Sequence, residues 1–274
     1  MTEILRIAQL DIFPAHTPER KLVRNVSLSL SRGKTTCIVG ESGSGKSLTA
    51  LSVMKLLSSQ LRMQGQIMFQ GQDITTLDEK AMQHLRGRQI GMIFQEPMTS
   101  LNPVLTVGFQ IGEPLQTHLG LKGAVLKQKV AALLEQVGID RGRANSYPDE
   151  LSGGQRQRVM IAMSIACEPA LLIADEPTTA LDVTVQAQVL RLLKELKDRM
   201  DMAMLFITHD FGVVADIADE VIVMFRGEIV EVGSVTQVLN QPQHPYTKAL
   251  LACVPDAEGK KVLQPMTYDW LTPA

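Results

Sequence analysis

Thr35-Thr36-Cys37-Ile38-Val39-Gly40-Glu41-Ser42-Gly43-Ser44-Gly45-Lys46-Ser47-Leu48 is the stretch from which the rest of the chain is read. A β-branched, apolar run ends at a glycine, and Gly-Lys-Ser follows four residues later, the spacing G-x-x-x-x-G-K-[ST]. Residues 35–39 read as a strand and residues 46–57 as a helix, the context that spacing needs. Glycines let the connecting loop curl so that backbone N–H groups point inward at phosphate oxygens, and the helix N-terminus adds partial positive charge. Lys46 then reaches the β- and γ-phosphates, and the Ser47 hydroxyl sits on Mg2+.

Far downstream, Leu171-Leu172-Ile173-Ala174-Asp175-Glu176 is an apolar strand ending in two acids. Asp175 at its tip suits the Mg2+ side of a phosphate site, and Glu176 is placed to serve as base for an attacking water. Loop and acidic strand together imply a nucleotide hydrolase. Between them, Leu151-Ser152-Gly153-Gly154-Gln155 opens an apolar-periodic segment and forms a second small anion nest at a helix start. One subunit has no need of two phosphate nests over a hundred residues apart. The second makes sense facing the nucleotide of another subunit, in a two-fold dimer with two composite sites.

Working outward, Leu5 to Phe13 and Val26 to Leu30 read as strands bounded by turn residues. Lys122 to Val137 carries apolar residues at helical spacing, and Thr184 to Arg199 is amphipathic. Ala203 to Thr208 is a buried strand, and Val221 to Phe225 with Glu228 to Val232 straddles Arg226-Gly227 as a hairpin. Strands alternating with helices predict an α/β fold: a P-loop core with a mixed, mostly parallel sheet, an N-terminal antiparallel β part and an inserted α-helical subdomain. The expected division is residues 1–94 and 168–232 for the core, 95–167 for the insertion and 233–274 for a C-terminal extension.

Composition narrows the class. The 274 residues are 45% hydrophobic with 13 prolines, which excludes a disordered or fibrous chain. With 27 basic against 29 acidic residues there is no general field for nucleic acid, so anion binding must be local. Cys37, Cys167 and Cys253 lie far apart and read as neither a disulfide framework nor a zinc site, pointing to a reducing cytoplasm. The start, Met1 to Arg6, has no basic segment followed by an apolar one, so no signal peptide is expected. The longest apolar runs fall far short of a bilayer span, which makes any membrane role a borrowed one.

These motifs, ordered over residues 5 to 254, resemble the ATP-binding-cassette (ABC) ATPase subunits. Gly40 to Ser47 resembles the Walker A loop, with Leu48 following, and Gln95 resembles the Q-loop glutamine. Leu151 to Gln155 resembles the signature sequence, Ile173 to Glu176 the end of Walker B with its catalytic glutamate, Ala180-Leu181-Asp182 the D-loop and His209 the switch histidine. The resemblance implies ATP and Mg2+ as cofactors, with Ser47, Gln95 and Asp175 on the metal side. It implies Glu176, Gln95 and His209 as catalytic residues, and Ser152, Gly153, Gly154, Gln155 and Asp182 as contacts across a dimer. Phe13 stands before Asn25 at the spacing of the family's adenine-stacking aromatic, as Phe in place of the common Tyr. His16, His84, His118 and His244 match no site motif and are expected at the surface.

Two further stretches, Glu96 to Pro103 and Gln243 to Leu251, resemble subunits that energise dipeptide, oligopeptide and nickel importers. The second reads from its residues as a turn followed by a short helix. Implied partners are a second ATPase subunit, identical or homologous, two integral membrane permease subunits and, indirectly, a periplasmic or extracellular solute-binding protein. The implied location is peripheral, on the cytoplasmic face of the inner membrane, with no nucleic acid. Peptide cargo is favoured, with nickel or another metal chelate as the alternative; a soluble, non-transport cassette ATPase is the reading from another class. Many members of that importer group continue into a cysteine-rich tail; here Cys253 stands alone near residue 274, so no cluster ligand set is expected.

Overall fold

The computed structural model describes residues 2–95, 100–179 and 181–253. The N-terminal segments are β1 (Glu3–Pro14), β2 (Val23–Ser31), β3 (Thr35–Val39), α1 (Lys46–Val53), β4 (Leu61–Phe69) and β5 (Gln72–Asp73). All of these strands except β3 form an antiparallel sheet in the order β2-β1-β4-β5. In β2 the residues alternate, with Val26, Leu28 and Leu30 buried and Ser27 and Ser29 exposed. One face is therefore wet and the other packs inward.

The strand that carries the phosphate loop goes elsewhere. With β6 (Ile90–Ile93), β7 (Leu171–Asp175), β8 (Ala203–Thr208), β9 (Glu220–Phe225) and β10 (Glu228–Ser234) it forms a second sheet in the order β10-β9-β3-β8-β7-β6. Every pairing is parallel except that of β10 with β9. All residues of β3, β7 and β8 are buried, as expected where both faces of a parallel sheet are covered. The strand period of two sorts these residues into two cores. Ile38, Ile173 and Leu205 join α1 and the N-terminal sheet, while Val39, Ala174 and Phe206 face the helical side.

The short α2 (Glu79–Leu85) packs Met82 and Leu85 into the first of these cores, and the helical side is built by α3 (Val107–Leu119), α4 (Gly123–Gln136), α5 (Gly153–Ile165), α6 (Val183–Met200), α7 (Phe211–Ile217), α8 (Val235–Asn240) and α9 (Pro245–Ala252). Several starts are capped by the side chain that precedes them. Ser152 and Gln155 form a reciprocal capping box at α5, and Asp182 accepts the Val185 N–H at α6. No helix among the described residues is long and apolar enough to cross a membrane.

Most segments read from periodicity appear with ends moved by one or two residues, and β3 and β8 match throughout. Three expectations need correction. The first helix ends at Val53 and does not reach Leu57. Lys55 turns into the left-handed region at φ 49°, and its ammonium donates to the carbonyls of Thr75 and Leu77, a tertiary anchor that propensity cannot register. His118 and His244 are half-buried and not at the open surface. Burial holds the His118 imidazole below its ordinary pKa, and His244 Nδ1 accepts the Tyr246 N–H as the cap of α9. Residues 96–99 of the stretch Glu96 to Pro103, Ala180, and the tail beyond Cys253 lie outside the described residues.

Candidate functional site

The loop between β3 and α1 is held tightly from behind. A Cβ on Gly40, whose φ is 152°, would stand 2.1 Å from the Met224 carbonyl oxygen, so no other residue fits there. Gly45 precedes the helix at φ 99°, where a side chain would crowd Val23. Gly227 N–H donates to the Ser44 carbonyl at 3.1 Å, and Glu41 N–H donates to the Tyr246 hydroxyl at 3.0 Å. Loop curvature is thus imposed by the β9–β10 hairpin and α9 as well as by its own glycines.

Lys46 is 5% exposed, and its Nζ donates to the carbonyls of Gly40 and Glu41, each at 2.8 Å. Among the described residues it makes no ion pair. Burial draws its ammonium pKa below the ordinary value, against the pull of Glu176, Asp175 and Glu41. The buried Ser44 Oγ has no hydrogen-bond partner among the described residues. A buried cation in no direct ion pair among the described residues and a spare hydroxyl, both at a loop of left-handed glycines, make a donor set that fits a polyphosphate.

The acidic strand ends beside this loop. Ser47 Oγ donates to Asp175 Oδ1 at 3.0 Å, although the two lie 128 residues apart in sequence. Burial raises the Asp175 carboxyl pKa, with the Ser47 hydrogen bond opposing. A hydroxyl and a carboxylate at a phosphate loop suit a hard cation such as Mg2+. No group of three or more His, Cys, Asp or Glu able to hold a metal occurs among the described residues.

Glu176 sits where three segments converge. Its φ is 46°, a left-handed conformation of the kind that clusters at functional sites. Its Oε2 accepts from Thr179 Oγ1 at 2.9 Å and from Gln95 Nε2 at 3.3 Å, and its Oε1 lies 3.4 Å from His209 Nδ1. The Glu176 side chain is 13% exposed and that of His209 59%. Gly40, Glu41, Ser42, Gln95, Glu176 and His209 line one cleft of about 480 Å³ together with Phe211 and Leu250. The geometry can polarise a water beside bound phosphate, with a carboxylate oriented by neighbours that donate to it.

Of the residues singled out from sequence, the fold brings together Gly40 to Ser47, Gln95, Asp175, Glu176 and His209. Leu48 follows on α1, half-buried. Ser152 to Gln155 do not line the cleft. They open α5, where a Cβ on Gly154 would press against Val185 at 2.7 Å, while Gly153 faces open space. Asp182 also stands apart, as the cap of α6. Phe13 is 9% exposed near the end of β1, paired with Arg62, and belongs to neither core cluster. Two residues without a role in the sequence motifs, Thr179 and Tyr246, also hold the site. The first had a local signal, a hydroxyl three residues after Glu176; the second, 205 residues from Glu41, had none.

Residues 23–179 match the family described as ABC transporter, and residues 230–268 match the oligopeptide/dipeptide transporter C-terminal region. The chain is 50% identical over 264 residues to the oligopeptide transport ATP-binding protein OppD of Bacillus subtilis, covering 94% of this chain and 74% of that protein. It is 51% identical over 271 residues to the glutathione import ATP-binding protein GsiA of Escherichia coli, covering 95% of this chain but 44% of GsiA. Among solved structures, the ATP-binding cassette MJ0796, dimeric in a post-hydrolysis state with ADP and Pi, aligns with a TM-score of 0.74 at 26% identity. That alignment covers 85% of this chain and 99% of the cassette.

Proposed function

Since the chain belongs to the ABC transporter family of ATP-binding subunits, we propose that it hydrolyses ATP to drive import of di- or oligopeptides. It works as one half of a cassette dimer on two integral membrane permease subunits, at the cytoplasmic face of the membrane. The observation that carries the reading is the convergence of Ser47, Asp175, Gln95, Glu176 and His209 on the mouth of the phosphate loop. The match of the C-terminal segment to an oligopeptide/dipeptide transporter region supports the choice of cargo.

In this reading the loop amides that follow Glu41, whose own N–H is held by Tyr246, and the Lys46 ammonium hold the phosphates, and Phe13 stacks on adenine. Ser47, Asp175 and Gln95 would hold Mg2+, which would supply positive charge to offset that on the phosphate oxygens. Glu176 takes the proton of the attacking water, and His209 orients that water against the γ-phosphate. Ser152 to Gln155 and Asp182 serve the nucleotide of the facing subunit, which is why they stand away from the loop of their own chain. ATP then closes the dimer, and hydrolysis and phosphate release reopen it.

Reconstitution with permease and solute-binding protein in vesicles tests the cargo. ATP-dependent uptake of a labelled dipeptide or oligopeptide is expected; uptake of nickel chelate with none of peptide would overturn the assignment. The composite site is tested separately by Ser152→Arg. Loss of the cap costs about 1 kcal/mol of stability, so the subunit still folds and binds MgATP. Its ATP-dependent dimer, followed by gel filtration, is expected to vanish, with turnover falling at least ~100-fold. A variant dimer that hydrolyses normally would refute the facing arrangement.

A further inference from the structure

The helix α9 lies in the segment that the catalytic reading does not use, yet it touches the phosphate loop. Its start is pinned to β10: the Glu231 carboxylate accepts the backbone N–H groups of Gln243 at 2.7 Å and His244 at 3.0 Å. Within the first turn, Tyr246 is fully buried, its ring centroid 4.2 Å from that of Phe225 with planes inclined at 40°. Its hydroxyl accepts the Glu41 N–H at 3.0 Å.

That N–H belongs to the peptide unit whose carbonyl is Gly40 C=O, and Gly40 O in turn accepts Lys46 Nζ at 2.8 Å. A peptide unit is planar, so one orientation sets both ends. With the N–H fixed on Tyr246, the carbonyl is aimed at the lysine on the opposite side. Rotation of this plane would release Lys46 and redirect the first amide of the loop together. Ring packing against Phe225 fixes where the hydroxyl sits, and the two bonds from Glu231 fix where the helix starts.

We propose that Tyr246 is a positioning residue for nucleotide binding: through the Gly40–Glu41 peptide it preorganises the phosphate loop and Lys46, giving the C-terminal extension a direct hold on ATP affinity. The proposal rests on the loop binding ATP, as read above. Preorganisation is realised in affinity, because the cost of ordering the loop is met before the ligand arrives. The chemical step, assigned to Glu176, is untouched.

Tyr246→Phe keeps the ring and removes the acceptor. In the full chain with MgATP, Kd and KM are expected to rise about fivefold, the change that loss of one neutral hydrogen bond produces. Turnover at saturation should stay within about twofold and Tm within about 4 °C. Glu41→Pro removes the donor instead, and on that background Tyr246→Phe should add nothing. A fall in Tm with unchanged Kd would make Tyr246 a packing residue only, and an undiminished effect in the Glu41→Pro background would place its influence elsewhere; either overturns the proposal. Absence of MgATP binding in the unaltered protein would instead overturn the reading on which it rests.

Discussion

Glu176→Gln is expected to bind ATP as the unaltered chain does and to turn it over about 10²–10⁴-fold more slowly, the range that removal of a positioned general base produces. Glutamine has nearly the shape of glutamate. Its amide oxygen can still accept from Thr179 Oγ1 and Gln95 Nε2, the partners 2.9 and 3.3 Å from Oε2. What it loses is a basic lone pair able to take a proton from water. A strained φ of 46° is a property of the backbone and survives the change, so the water still meets an oriented group of the wrong chemistry. With ATP uncleaved, the closed dimer should persist and elute as a dimer during gel filtration, while phosphate release is measured in parallel. Turnover within tenfold of the unaltered protein would remove Glu176 from its role.

Lys46→Ala has the second large effect and acts one step earlier. The ammonium is buried at a cost, which is what its lowered pKa records. Bound phosphate compensates that cost with a charge-assisted contact worth roughly 1.5–3 kcal/mol, or about 10- to 150-fold in affinity. The expected result is therefore loss of measurable MgATP binding at micromolar nucleotide, and with it loss of turnover. The fold should not suffer in proportion. Removing the side chain gives up two hydrogen bonds to carbonyls and also relieves the cost of burying a charge. Tm is expected to move by no more than about 2–4 °C, the shift of roughly 1 kcal/mol in a domain of this size. Calorimetric titration beside a melting curve separates the two. A variant that binds MgATP within threefold of the parent contradicts the assignment of Lys46 to phosphate.

The core of this molecule is readable from sequence because its signals are local. Thr35 to Ser47 places an apolar strand, a glycine loop and a helix start in consecutive residues, and Leu171 to Glu176 does the same for a buried strand with an acidic tip. Their meeting through Ser47 and Asp175 needed only the expectation that both strands lie in one sheet. Residues 61–93 were harder. β4 reads Leu-Arg-Met-Gln-Gly-Gln-Ile-Met-Phe, mostly half-buried or exposed, and owes its strand form to pairing with β1. The early end of the first helix at Val53 likewise follows from the anchoring of Lys55 on a distant loop. Tyr246 is the extreme case. Its meaning comes from a backbone amide 205 residues earlier, and no periodicity within Gln243 to Leu251 carries that information.

The strand order also dictates a timetable for synthesis. β1, β2, β4 and β5 all come from residues 3–73 and can pair as soon as they leave the ribosome. β3 emerges among them but pairs only with β8 and β9, which lie within residues 203–225. At about 5–20 residues per second, the strand bearing the phosphate loop waits on the order of ten seconds or more for its neighbours. Through that interval Thr35 to Val39 is an unpaired, apolar segment of the kind that nascent-chain chaperones shield. A chain truncated before residue 203 therefore lacks both neighbours of its nucleotide loop, however complete its first sheet.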